Sequence, residues 1–463
     1  RAGAAPAGAA RATVTWLAPY SHKNSAPPSY TVAASPGGIG VTVSAASLTA
    51  TVGGLANGTT YTFTVVAANS AGSGPASAPS NPVTPKPAGA DTTPPPDTTT
   101  PPDTTAPPAP PSGTGRWVSG YYVGYQRSLQ PPSEIDFSSL THVIMGRVRP
   151  RSDGTLYTDF DIDNVNGPAV AREVSTRAHA AGRKAILMVG GAGERAGFVA
   201  AASSATRPTF VTSLLRAMDD YGYDGLDVDW EPLESTDQPL VIALVQALRA
   251  ARPGVLITFP VGWANTNFPS WTSSWFAQLA PLVDQLNIMT YDMAGPWSGW
   301  TSWHNSALAG HASSHPSSVA GSVQVYRGLG ISASKLGVGM AFYGQCWRGV
   351  TGPNQSIGSS SLVASDNVMS YVNIMASYHS AGAARWDDVA QVPYLSFGSA
   401  TGPQGCTYVT YDDARSVAAK GDFVRAQGLG GAIVWTISQG YQASAPLGQR
   451  NPLLAAAYAA IAP

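Results

Sequence analysis

Residues 86–113 are dominated by Pro, Thr, Asp and Ala and include the run PPPDTTTPPDTTAPPAPP. Nothing else in the chain constrains its folding as strongly. Proline fixes φ and lacks a backbone donor, and a tract of this composition cannot bury a core. It favours extended polyproline-II conformers and, at roughly 3 Å per residue, reaches several tens of ångströms. The 463-residue chain is therefore expected to fold as two separate units, residues 1–85 and 114–463, on either side of a linker.

Composition narrows the partners. Apolar residues make up 44% and charged residues 11%, with a net charge of −1. The electrostatic case for binding nucleic acid or an anionic membrane is weak. No run of eighteen apolar residues predicts a membrane span. The chain opens at Arg1 in an Ala/Gly-rich stretch without an initiator Met, which suggests a processed or truncated product. Cys346 and Cys406 could form one disulfide or stay as two buried thiols. The 12 Trp and 19 Tyr offer flat faces that stack on sugars and other rings.

Residues 1–85 read as a small all-β module. Thr13 and Thr15 alternate with apolar residues, as do Tyr30 to Ala33. Tyr61, Phe63 and Val65 share one strand face, and Asn57-Gly58 is a turn signal. Trp16 can fill the centre of a sandwich and Tyr61 can form a tyrosine corner. Trp16, the Leu55…Tyr61 run and Ala68-Asn69-Ser70-Ala71-Gly72 together resemble a fibronectin type III domain, although the first strand looks short.

Residues 114–463 alternate strand-like runs with amphipathic helical stretches such as Val170–Ala181 and Leu240–Ala250. The runs are Trp117–Val123, Thr141–Gly146, Lys184–Gly190, Gly222–Trp230, Val255–Pro260, Gln285–Tyr291, Leu336–Tyr343 and Gly431–Ile437. Eight βα units predict an α/β fold, a (β/α)8 TIM barrel, with an open doubly wound sheet as the competitor. Residues at about 344–410 are too long for a loop and predict a small α+β insertion between the last two strands.

Within the fourth run, Asp227, Asp229 and Glu231 fall at i, i+2 and i+4. On a strand all three carboxyls share one face. Like charges so crowded raise at least one pKa and keep a proton near neutral pH, as a general acid requires. Alone, the pattern fits either such an acid or a Mg²⁺ or Ca²⁺ site. Barrel chemistry sits at the C-terminal strand ends, where Tyr121, Tyr291, Asp292, Tyr343 and Trp435 are also expected. The Gly190–Gly197 stretch reads as a tight turn rather than a nucleotide loop. His304, His311 and His315 read as surface-loop histidines rather than metal ligands.

These residues carry a resemblance. Asp224, Asp227, Asp229 and Glu231 match the DxxDxDxE pattern of the family 18 glycoside hydrolases, the chitinases. Met289-Thr290-Tyr291-Asp292, Gly120-Tyr121-Tyr122, Phe342-Tyr343-Gly344, Trp435 and Tyr411-Asp412-Asp413 match further motifs in the right order, across residues 116–440. The long insertion resembles the subgroup with a deep substrate groove. The resemblance implies a secreted, extracellular, monomeric enzyme that cleaves β-1,4 bonds of chitin and N-acetylglucosamine oligomers with retention, without cofactor or metal. Glu231 would be the acid and base, Asp229 would hold the acetamide N–H, and Asp227 would tune Asp229. Tyr291 would donate to the acetamide oxygen. Trp435 would floor the distorted sugar, and Met289, Asp292, Tyr343 and Tyr121 would line its site.

Three departures stand out. Met188 replaces the serine that normally bonds the middle aspartate, so Asp227 is expected to rely on Tyr121 with one partner fewer. Ala192 replaces an aromatic, and Gln345 replaces an arginine. Trp271 and Trp275 sit at helical spacing and read as core. Among Trp297, Trp300 and Trp303, in a Gly/Ser/Pro-rich loop, Trp297 and Trp300 are taken as sugar-stacking. Two other functions stay open on this resemblance: an N-glycan-cleaving endo-β-N-acetylglucosaminidase, and a non-catalytic chitin-binding lectin, whose relatives usually lose the acid that Glu231 supplies here.

Overall fold

The computed structural model describes residues 2–6, 10–16, 29–44, 49–69, 72–85 except 75, 78 and 81, and 115–462 except 266, 268, 311–314, 316 and 359–360. The linker tract and His311 lie outside the described residues, as does the side chain of Trp16. The chain divides into two compact units, residues 1–106 and 107–463.

The first unit has two antiparallel sheets. One pairs Ala2–Pro6, Arg11–Trp16 and Thr49–Gly53; the other pairs Gly40–Ser44, Ser29–Ser35, Thr62–Asn69 and Gly72–Ser73. Alternation puts Tyr30, Val32, Phe63 and Val65 into one core with Val14, Val52 and Tyr61. The Tyr61 hydroxyl accepts the Ala56 N–H at 3.0 Å, which closes the corner ahead of its strand.

In the second unit eight parallel strands close into a barrel. In order they are Trp117–Val123, His142–Pro150, Lys184–Gly191, Gly225–Trp230, Leu256–Gly262, Gln285–Met289, Leu336–Ala341 and Gly431–Trp435. The third strand shows why this sequence closes. Ala185, Leu187 and Val189 pack outward under the helices. Ile186 and Met188 point inward with Tyr121, Ile144 and Ile433. Both faces are buried, so the strands read as nearly continuous apolar runs.

The strand ends differ from expectation in ways that matter for function. The second strand runs on to Pro150 because Leu156–Tyr157 folds back and pairs with it. The fourth begins at Gly225, since Gly222, at φ +76°, terminates helix Arg207–Tyr221 in the left-handed conformation. The sixth and seventh stop at Met289 and Ala341, so Tyr291, Asp292 and Tyr343 sit on the loops just beyond.

Between the last two barrel strands lies a five-stranded antiparallel sheet in the order Leu362–Ala364, Gln345–Trp347, Cys406–Thr410, Val392–Thr401, Ala384–Asp387, with helix Tyr371–Ser377. Cys346 and Cys406 form a disulfide between two adjacent strands of this sheet.

His304 is a correction. It is fully buried rather than in a surface loop, with Nε2 2.9 Å from Asp387 and Nδ1 3.1 Å from the Tyr408 hydroxyl. The loop after the sixth strand runs beneath the insertion, and sequence spacing carries no trace of that cover. His315 is half-buried and stacks on Trp300 with ring centroids 4.5 Å apart.

Candidate active site

The fourth strand carries its acidic residues to both ends of the barrel. Asp224 precedes it and faces away from the mouth. It accepts the Ala185 N–H at 2.8 Å, Lys184 Nζ at 3.1 Å and His179 Nε2 at 2.9 Å. Asp227 and Asp229 point into the barrel and are buried, and Glu231 follows at the strand's end.

Asp227 has two donors. Tyr121 Oη gives a bond of 2.8 Å to Oδ2, and Thr258 Oγ1 bonds Oδ1. The expectation of a missing partner is therefore corrected. Met188 stands level with Asp227 on the third strand, and Thr258 stands level with it on the fifth. A lone Thr inside the apolar run Leu256-Ile-Thr-Phe was the available signal.

Asp229 hydrogen-bonds Glu231 side chain to side chain, while its Oδ1 is buried with no partner. Burial pushes all three carboxyls upward. For Asp229, the charges of Glu231 and Asp227 add to it. Asp227 reaches about 6, because the bonds from Thr258 and Tyr121 oppose its burial. At Glu231, the bond to Asp229 and the positive charge of Arg147 oppose burial. Arg147 is anchored to Asp161 at 2.9 Å and to the Gly190 carbonyl at 3.0 Å; sequence reading passed it over. The three carboxyls are thus raised together and titrate as a unit.

Tyr291 and Tyr343 are buried around the same chamber, with ring centroids 6.1 Å apart. Trp435 tilts over Tyr121 at 5.1 Å. Asp292 adopts φ +51° and bonds the Tyr343 hydroxyl and Gln345 Nε2. Dense surroundings push its carboxyl upward and these bonds oppose that push. Its side chain is also open to the groove, so solvent moderates the shift. Gln345 keeps a donor on Asp292, at 3.4 Å, where an arginine was expected. Ala192 is exposed and presents no ring.

Asn305 is a second residue that sequence reading missed. It is buried, its Oδ1 accepts the Asp292 N–H at 3.0 Å, and its Nδ2 bonds the Tyr343 carbonyl at 3.3 Å. One side chain thereby clamps both site loops.

Beside Glu231 opens a cavity of about 270 Å³, walled by Trp263, Trp271, Phe276, Met289, Tyr291 and Trp297 among others. Trp275 is buried, as helical spacing implied, whereas Trp271 is half-buried and faces this cavity. Trp300 is a correction. It is 3% exposed and packs behind Trp263 and Trp297, so it braces the wall and offers no open face. Trp303 is buried in a separate cluster with Trp347. Of the three loop tryptophans, Trp297 lines the cavity. Among the described residues no set of three His, Cys, Asp or Glu side chains is arranged to hold a metal ion.

Comparison with known proteins fits this geometry. The model of the glycosyl hydrolases family 18 matches residues 118–440, and that of the fibronectin type III domain matches residues 4–83. Chitinase 1 of Aphanocladium album is 28% identical over 344 residues, covering 68% of this chain and 78% of its own. Chitinase B of Serratia marcescens is 26% identical, covering 70% and 81%. Among solved structures, the Group IV chitinase of Ostrinia furnacalis aligns with a TM-score of 0.62 at 22% identity, covering 75% of this chain and 99% of its own. The family 18 chitinase of Cycas revoluta, solved with (GlcNAc)3, gives a TM-score of 0.60 at 22% identity, covering 74% and 99%. At such identity the structural likeness speaks for the barrel fold. The family model, which spans well over half of the chain, decides the rest: the chain belongs to the glycosyl hydrolases of family 18, with a fibronectin type III domain ahead of the hydrolase unit.

Proposed function

We propose that this chain is a chitinase that hydrolyses β-1,4 bonds between N-acetylglucosamine units with retention, the substrate's own acetamide oxygen acting as nucleophile. One observation carries the reading. Asp229 and Glu231 hydrogen-bond each other directly. Carboxyls that flank a sugar as acid and nucleophile stand about 5 Å or more apart. This pair is too close to act as acid and nucleophile across an anomeric carbon, so the nucleophile is left to the substrate, and Asp229 stands beside the acid as a partner for the acetamide.

Glu231, whose carboxyl burial pushes upward, gives its proton to the glycosidic oxygen as the C1–O bond breaks. The acetamide oxygen bonds to C1 and forms a cyclic oxazolinium ion. Asp229 accepts the N–H and balances the positive charge. Tyr291 donates to the acetamide oxygen, and Trp435 lies under the reacting sugar. Glu231 then takes a proton from water, whose oxygen attacks C1 and reopens the ring. Two displacements on C1 give net retention. Trp297 and the cavity beyond Glu231 suit the leaving sugars, which aromatic faces stack against. The Cys346–Cys406 disulfide supports an oxidising, extracellular setting, where polymeric chitin is met. The chitinases among the curated relatives and the (GlcNAc)3 held by one solved relative point the same way.

The test is hydrolysis of N-acetylglucosamine oligomers by the wild type and by Glu231→Gln, with the product anomer followed by NMR from the first turnover. Equal turnover by the two proteins would sink the assignment of the acid. A product that starts in the α form would sink the acetamide mechanism.

A further inference from the structure

We propose that Thr258 is a positioning residue of the reaction: its hydroxyl fixes Asp227 as a charged, oriented carboxylate and so keeps the shared proton on the Asp229–Glu231 side of the stack. The inference rests on the functional reading above and deepens it. In the parallel register Asp227 has Met188 on one side and Thr258 on the other. Met188 presents a thioether, which has no hydrogen to donate. Thr258 is fully buried and its hydroxyl bonds Asp227 Oδ1, while Tyr121 Oη bonds Oδ2 at 2.8 Å. Each oxygen of the buried carboxylate is thus matched by one neutral donor.

The surroundings supply no substitute. The groups around Asp227 that titrate are Asp229 and Glu231 from its own strand and its end, Tyr121 from the first strand, and Tyr291 from beyond the sixth. The other inward neighbours, Ile144, Ile186, Met188 and Ile433, are apolar. Arg147, the nearby cation, acts on Asp229 and Glu231. If the Thr258 hydroxyl is lost, the cheapest way to satisfy Oδ1 is for Asp227 to take the proton itself, because hydrogen bonds to the charged form are what favour that form. A protonated Asp227 no longer presents the fixed carboxylate that holds the shared proton between Asp229 and Glu231, so activity is lost over the pH range in which Asp227 is protonated. The sign follows. Donors to a carboxylate lower its pKa, so removing one raises it, and Asp227 protonates at a higher pH than before.

Thr258→Val keeps the shape and removes the donor. On N-acetylglucosamine oligomers we expect kcat to fall about tenfold or more, the scale of one hydrogen bond to a charged group, with KM nearly unchanged. The acidic limb of the kcat profile moves up by about one pH unit. Thr258→Ser keeps the hydroxyl and the wild-type profile. Adding Met188→Ser to Thr258→Val offers Asp227 a hydroxyl from the opposite strand and returns part of kcat. A folded Thr258→Val with wild-type kcat and an unmoved acidic limb overturns the proposal. If Thr258→Val does not fold, Thr258→Ala carries the same two outcomes. Glu231→Gln is assayed alongside. A wild type no faster than Glu231→Gln would overturn the functional reading, whereas an active wild type with an unaffected Thr258 variant overturns only the role given to Thr258.

Discussion

At the lower end of the fourth barrel strand, Asp224 accepts a backbone N–H and two side-chain donors, Lys184 and His179. Burial pushes its carboxyl upward, but these bonds outweigh it and leave the pKa lowered. Three residues on, Asp227 is fully buried, bonded by two neutral hydroxyls, and pushed up to about 6. Asp229 and Glu231, further along, are raised as well. Four carboxyls of one octapeptide thus split into two kinds. The lower one is satisfied and ties strands together, whereas the upper three are crowded and pushed upward. The difference lies in what the neighbouring strands present at each level, since the residue type is nearly constant. A barrel concentrates reactivity at its upper end, where Asp227 is met by two neutral hydroxyls in place of the ammonium, ring nitrogen and backbone N–H that meet Asp224.

Mutations can break this contrast at either end. The largest expected effect is at the top: Glu231→Gln lowers kcat on N-acetylglucosamine oligomers by about a thousandfold, within the range for a general acid, while the urea midpoint stays close to wild type. At the bottom the pattern reverses. Asp224→Ala strands the Ala185 N–H and costs about 1–3 kcal/mol of stability, with kcat per folded molecule near wild type. If Asp224→Ala cut kcat as deeply as Glu231→Gln, the division into two ends would fail.

The pH dependence of stability sharpens the same contrast. Asp227 titrates higher in the folded than in the unfolded chain, where an aspartate sits near about 3.9. The folded state therefore binds its proton more tightly, and this group stabilises the fold as pH falls from above 6 towards 4. Asp224 has the opposite sign. Its stabilisation is present above about pH 4 and is lost as pH falls through its lowered pKa. Relative to Asp227→Asn, the wild-type urea midpoint should gain between pH 7.5 and 5, and relative to Asp224→Ala it should lose below about 4. The smallest effect belongs to Lys184, whose side chain is 62% exposed. Lys184→Ala should lower stability by less than about 1 kcal/mol, and by less still in high salt.

Much of this was legible in the sequence because it depends on short-range periodicity. A period of two puts Asp227, Asp229 and Glu231 on one face whatever the strand pairs with. The alternation of apolar runs and amphipathic stretches predicts the barrel, whose strands appear within a few residues of expectation. The misses have a different origin. His304 and Trp300 sit in a loop whose composition reads as exposed, yet the insertion covers one and neighbouring indoles cover the other. Asn305 and Arg147 act across the barrel mouth on residues far away in the chain, so no local pattern marks them.

By itself the sequence determined two folding units, the strand that bears the acids, and the order of residues at the barrel mouth. These follow from composition and from side-chain direction, which each segment sets alone. Only the tertiary structure decided which carboxyl has which partner. Thr258, rather than a residue on the third strand, completes Asp227, and Asp229 meets Glu231. Such pairings depend on the register between strands and on burial to a depth that excludes water. Both arise when distant segments pack, and a one-dimensional pattern does not encode them.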